Sequence, residues 1–173
     1  MSEGAQSGSL LTADVLAFLG MESPVVEAPD PVEGGSVRRY AQAIMDPDPI
    51  FGKEGGAVAP ALYPTHMFAR PFGSPDPLAR VEEYPNYDGA VGSSIRGLPD
   101  LPIASGTRLN GGSEIELFRY ARHGEKVRMQ SRYADIQERQ SSKGPMIIVV
   151  IETRYFVDKD DVLLIVRSTA LYR

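Results

Sequence analysis

Two carboxylates and one imidazole in the first half of the chain have the types and spacing that proton transfer uses. Asp46 and Asp48 close the run Ser36-Val37-Arg38-Arg39-Tyr40-Ala41-Gln42-Ala43-Ile44-Met45-Asp46-Pro47-Asp48-Pro49-Ile50-Phe51, and His66 stands in the next run, Ala59-Pro60-Ala61-Leu62-Tyr63-Pro64-Thr65-His66-Met67-Phe68. A carboxylate and an imidazole brought together can take a proton from water and release it elsewhere. Asp46 is the candidate catalytic residue; against it stands the plainer role of a turn or cap former, which is stronger still for Asp48. His66, beside Leu62 and Ala69 on a helix, competes in the same way with a core or interface histidine. His123, in the turn Arg122-His123-Gly124-Glu125, reads as solvated.

The elements that must position these residues follow from periodicity. Ser36 is placed to cap a helix whose apolar residues Val37, Tyr40, Ala41 and Ile44 share one face. Pro47 pushes Asp46 out of the helical region and Pro49 does the same to Asp48, so both carboxylates sit on a stiff corner. A second helix is expected over residues 59–68, with Pro60 at its first position after Gly55-Gly56. Before them, Thr12 to Gly20 reads as a short helix capped by Thr12 with Val15, Leu16 and Leu19 as its apolar side, and Val25-Val26 as at most a short edge strand. Residues 70–108 lose periodicity and are rich in proline and glycine. Tyr84, Tyr87, Leu98, Leu101 and Ile103 give this stretch enough apolar material to pack as an ordered flap. After it, Ile115 and Leu117 and then Val127, Met129, Ser131 and Tyr133 keep a period of two and read as an antiparallel pair. Met146–Phe156 and Val162–Tyr172 read as a second pair, the first of them apolar enough around Ile147–Ile151 to be a central strand covered on both faces. Pattern alone thus gives an α+β fold, an antiparallel sheet laid on one helix. Residues 1–11 are expected to be a flexible tail and 12–173 one domain.

Composition narrows the classes of function. At 173 residues the chain has room for one substantial core. A net charge of −5 and a pI near 5.1 speak against non-specific nucleic-acid binding and against a basic membrane-surface helix. With no cysteine there is no disulfide or thiolate chemistry, and two histidines with no ligand spacing give no metal site; no cofactor is called for. Met1–Gly8 lacks the features of a signal peptide, and Met146–Ile151 is too short to span a bilayer, so a soluble, cytoplasmic protein is expected. Ser93 and Ser94 follow Gly92, but Arg96 stands where a nucleophile elbow needs glycine.

Arg38–Phe51 followed by Val58-Ala59-Pro60 resembles the MaoC-like hydratases and dehydratases, in particular the N-terminal, FAS1-like dehydratase domain of hot-dog enoyl-CoA hydratases. Leu109-Asn110-Gly111-Gly112 with the strand after it, and Ser142–Tyr155, extend the resemblance to about residues 12–173. It implies a hot-dog fold, with the sheet wrapped around the helix of residues 59–68, and hydration of enoyl thioesters of coenzyme A or acyl carrier protein, or the reverse dehydration. The family's corner reads aspartate, any residue, asparagine, proline, aliphatic residue, histidine; here this falls on Asp46, Pro47, Asp48, Pro49, Ile50 and Phe51. The aspartate is kept, and phenylalanine replaces the histidine, the general base.

The resemblance further implies substrate contacts at Ala61, whose amide would face the thioester oxygen, and at Tyr63, His66 and Met67 around the acyl tunnel, with Arg70, Arg80, Arg96 and Arg108 available to coenzyme A phosphates. It makes the chain the substrate-shaping subunit of a heteromeric hydratase, its partner a second hot-dog subunit carrying the catalytic aspartate and histidine. The chain ends where a two-domain relative would continue, which points the same way. Two rivals are a self-sufficient homodimer using Asp46 with His66 or a water chain, and a binding module for acyl thioesters without catalysis.

Overall fold

The computed structural model describes residues 9–52, 57–68, 73, 97–103, 108–142 and 144–173. In chain order these form α1 (Ala13–Leu16), β1 (Val26–Glu27), α2 (Gly34–Ala43), a 3-10 turn (Pro49–Phe51), α3 (Tyr63–His66), β2 (Arg108–Leu117), β3 (Arg128–Ser141), β4 (Gly144–Asp158) and β5 (Asp161–Tyr172). The five strands make one antiparallel sheet in the order β1-β3-β4-β5-β2.

The sheet has one apolar face, set by alternation. On β3, Met129, Ser131 and Tyr133 are buried, and on β4, Ile147, Val149, Ile151, Thr153 and Tyr155 are. This face is covered at both ends. At one end Val37, Ala41, Phe51, Ala59 and Tyr63 pack on Met129, Tyr155, Leu163 and Leu164. At the other, Val15 and Leu98 pack on Tyr133, Ile136, Ile147, Val149 and Ile151, with Leu101 and Ile103 alongside. Between the two clusters lies a polar waist, where Ser131 and Thr153 share a 2.9 Å hydrogen bond and the Ser131 amide donates to Ser23 Oγ at 2.9 Å.

Several expectations hold. β4 is the central strand and pairs with β5 as a hairpin closed at Asp158↔Asp161. β1 is a two-residue edge strand. Thr12 Oγ1 accepts from the Val15 amide at 3.3 Å, capping α1, although the helix covers one turn and leaves Leu16 and Leu19 exposed. Of the 70–108 stretch expected to be a flap, only residues 73, 97–103 and 108 are described; there Leu98 is buried and the Tyr133 hydroxyl donates to the Pro99 carbonyl at 2.7 Å. Tyr84 and Tyr87 lie outside the described residues.

Others are corrected. β2 does not pair with β3: it runs antiparallel to β5, with Ile115 opposite Val166 and Leu117 opposite Leu164. A hairpin was the shorter connection, but residues 118–127 instead carry the chain away to bridge Arg122 with Val58, which frees β3 to pair with β4. Inside β2, the bulge at Asn110–Gly112 needs both glycines. Gly111 crosses Thr169 so closely that a Cβ would lie 2.8 Å from its methyl group, and Gly112 adopts φ +109°. The outer face of β4 is half-buried by neighbouring side chains and not by a second layer among the described residues. The helix expected over 59–68 is a single described turn, because Pro64 has no N–H to give the Pro60 carbonyl.

Candidate functional site

The corner is built by the way α2 ends. The helix starts three residues earlier than its sequence suggested, at Gly34, with Glu33 as N-cap in place of Ser36 and no side-chain cap; Ser36 falls in the first turn. At the other end Met45 takes a left-handed conformation with φ 56°, and the Asp46 amide donates back to the Ala41 carbonyl at 2.9 Å, closing a Schellman-type turn. That position suits glycine, and a side chain there carries strain. Met45 is also 87% exposed. Replacing Met45 by glycine is expected to stabilise the fold by about 0.5–1 kcal/mol, net of the greater freedom of the unfolded chain, and to raise Tm by roughly 1–4 °C in a thermal melt.

Both carboxylates serve this corner. Asp46 Oδ1 accepts from the Asp48 amide at 3.1 Å, and Asp48 Oδ1 accepts from the Ile50 amide at 3.0 Å, capping the 3-10 turn. One oxygen of each remains uncommitted among the described residues. Phe51, at the end of that turn, is 7% exposed. Its ring packs in the first apolar cluster and meets Tyr120 edge-on at 6.2 Å.

The second half of the site is α3. Ala59 is tied to the sheet side by its amide, which donates to the Ala121 carbonyl at 2.8 Å. Ala61 lies in the turn before α3, and its amide has no partner among the described residues. Tyr63 is buried, edge-on to Tyr40 at 5.5 Å. Burial pushes its phenol up, opposed by hydrogen bonds from Ser36 and the Glu33 backbone. Met67 is half-buried against the same cluster. His66 is exposed, its ring 5.6 Å from that of Tyr40 and 6.4 Å from that of Tyr63. No hydrogen bond or ion pair joins it to Asp46.

The structure therefore brings Tyr63, His66 and Met67 together beside α2, and gives Asp46 to its own turn. Tyr63 is a core residue, which removes it from any open tunnel wall. His123 is not solvated as its turn suggested: its ring lies on Gly34 at the start of α2, and its Nε2 is buried with no hydrogen-bond partner among the described residues. Arg108 stacks over the Tyr172 ring at 5.8 Å, while Arg70, Arg80 and Arg96 lie outside the described residues. Among the described residues no cluster of three or more His, Cys, Asp or Glu could hold a metal, and no helix is long and apolar enough to cross a membrane.

The family described as FAS1-like, dehydratase domain region, matches residues 17–166. The chain belongs to this family. No curated protein matches it in sequence. Among solved structures it resembles a chain of the ChsH1-ChsH2 complex from Mycobacterium tuberculosis, with a TM-score of 0.63 at 19% identity over 92% of this chain and 88% of that one. It also resembles a chain of the HadBC (3R-hydroxyacyl-ACP dehydratase) complex from the same organism, at 0.55 and 15% over 89% and 96%. A MaoC-like dehydratase from Rhodospirillum rubrum aligns at 0.56 and 15% over 89% and 91%. At these identities the likeness is one of fold: this FAS1-like dehydratase domain is an α+β hot-dog.

Proposed function

We propose that this domain is the substrate-shaping half of a heteromeric enoyl-thioester hydratase or 3-hydroxyacyl dehydratase, and that a second hot-dog chain supplies the catalytic histidine. Adding water to an enoyl thioester requires a base that takes a proton as the water oxygen bonds to the β carbon, a proton for the α carbon, and donors for the charge on the thioester oxygen. The observation that carries the proposal is Phe51: the corner position that in this family holds the imidazole is a buried phenyl ring. Asp46 keeps its uncommitted oxygen and Ala61 its unpartnered amide, and His66 and Met67 stand at the end of α3; in this reading each contributes to the site in the assembly.

A surface for the partner is at hand. β2 is the edge of the sheet, and Ile115, Leu117, Phe118 and Tyr120 along its end are exposed. Tyr120 touches Phe51, so this edge is continuous with the corner. An unpaired apolar strand edge is a ready template for another strand. That two similar structures are described as complexes supports the same reading.

The test is to purify the domain alone and together with a hot-dog chain that has the complete aspartate-histidine corner, then follow loss of crotonyl-CoA absorbance. The single chain should be inactive and the co-purified pair active. Brisk hydration by the single chain, lost in Asp46→Asn, would replace the proposal with a homodimeric enzyme; thioester binding without turnover in every pairing would replace it with a binding module.

A further inference from the structure

A cleft of about 380 Å³ opens between α2 and α3, lined by Ser36, Arg39, Tyr40, Ala43 and His66. The four residues from α2 stand at the three and four spacing of one helix face, so they point the same way by construction. The Tyr40 ring is wedged between those of Tyr63 and His66, which fixes its place in the cleft. Ala43, the smallest lining residue, leaves the space open.

Two features give the cleft a chemical preference. Arg39, Tyr40 and His66 can each donate a hydrogen bond into it, whereas Ser36 gives its hydroxyl to Tyr63, and no carboxylate lines it among the described residues, although the chain carries 23 acidic residues against 18 basic ones. The acids whose charges reach Tyr63, Asp30 and Glu33, are not among the lining residues. Arg39 is also set apart from the arginines of the sheet. Arg119, Arg128, Arg132 and Arg167 each close ion pairs, whereas Arg39, the Tyr40 hydroxyl and His66 have no hydrogen bond or ion pair among the described residues. Burial raises the Tyr40 phenol above its ordinary value, although a tyrosine hydroxyl is a donor at neutral pH in any case. An unpaired guanidinium on a rigid helix, with hydroxyl and imidazole donors around it, matches the geometry of a phosphate group.

We propose that this cleft binds a phosphate-type anion, held by Arg39 with Tyr40 and His66 as donors. The site needs no catalytic partner and is tested on the isolated chain, so its failure would leave the two-chain hydratase experiment unaffected.

The experiment uses the two histidines as reporters. Inorganic pyrophosphate is titrated into the 13C-labelled protein while the ring Cε1–H signals of His66 and His123 are followed by NMR. A saturable shift of His66 with His123 unmoved is expected. Arg39→Gln should weaken the apparent affinity about tenfold or more, as loss of a charged hydrogen-bond donor does. Ala43→Leu, which fills the cleft at constant charge, should weaken it comparably. No saturable change, equal shifts at both histidines, or affinity unchanged in both variants would overturn the proposal. A parallel titration with coenzyme A separates the sources: tighter binding than pyrophosphate assigns the phosphates of a thioester carrier, and equal binding a free anion.

Discussion

Phe51→Ala is expected to lower the free energy of unfolding by about 3–4 kcal/mol, a drop of roughly 6–15 °C in Tm. The magnitude comes from position. The ring is almost wholly removed from water, and it joins the apolar residues of α2 to the corner and to Tyr120. Deleting it removes the transfer free energy of an aromatic side chain and leaves a void that the proline-bracketed corner is too stiff to close. Phe51→His would keep most of the volume but place two ring nitrogens among apolar neighbours, and is expected to cost about 1–3 kcal/mol. Asp46→Asn should cost far less, since an amide oxygen can still accept from the Asp48 amide. Urea unfolding followed by circular dichroism reads all three. The ordering decides what position 51 is for: a loss under about 1 kcal/mol for Phe51→Ala would mean the ring is not structural, and the corner would again be open to chemistry.

Much of this was legible from residue order, for identifiable reasons. β4 and β5 are long, strongly β-branched and joined by a short acidic turn, so propensity, period and connection agree and the hairpin forms as expected. The Pro47-Pro49 corner was legible because proline acts locally, whatever the rest of the chain does. The partner of β2 was not. Both faces of that strand are exposed, so its alternation carries no information about burial, and its position beside β5 is decided by the path of residues 118–127. The start of α2 was missed for a similar reason: Ser36 has the side chain of an N-cap, yet the helix begins before it, on Gly34 and Gly35, where the carbonyl of Val32 accepts from Gly124 and the amide of Val32 donates to Glu125, fixing the approach. The cleft at Arg39 left only a faint trace, a serine, an arginine, a tyrosine and an alanine on one helix face; their exposure to a shared space depends on where α3 lands, and no local pattern sets that.

The other large effect is expected on the opposite face of the sheet. Glu152, on the outward side of β4, is 8% exposed and is gripped from both neighbouring strands. Arg132 Nε donates to its Oε1 at 2.9 Å and Arg167 Nε to its Oε2 at 2.8 Å, and Arg167 continues to Glu116 and Glu114 on β2. The ladder follows from register, because Arg132 and Arg167 are the direct cross-strand partners of Glu152. Burial alone would raise the Glu152 carboxyl, but the hydrogen bonds and charges of the two arginines outweigh it and hold it below its usual 4.5. Glu152→Gln should then destabilise the domain by about 2–3 kcal/mol at neutral pH, less than a fully buried pair would lose, since both arginines still reach solvent. A carboxyl lowered in the folded state contributes its full stability above 4.5 and loses it as pH falls through the folded value. The gap between wild type and Glu152→Gln should accordingly be widest near neutral pH and narrow steadily below about pH 4.5. Stability curves at a series of pH values provide the measurement, and a gap that stays constant into acid would mean that the glutamate holds these strands by packing and not by charge.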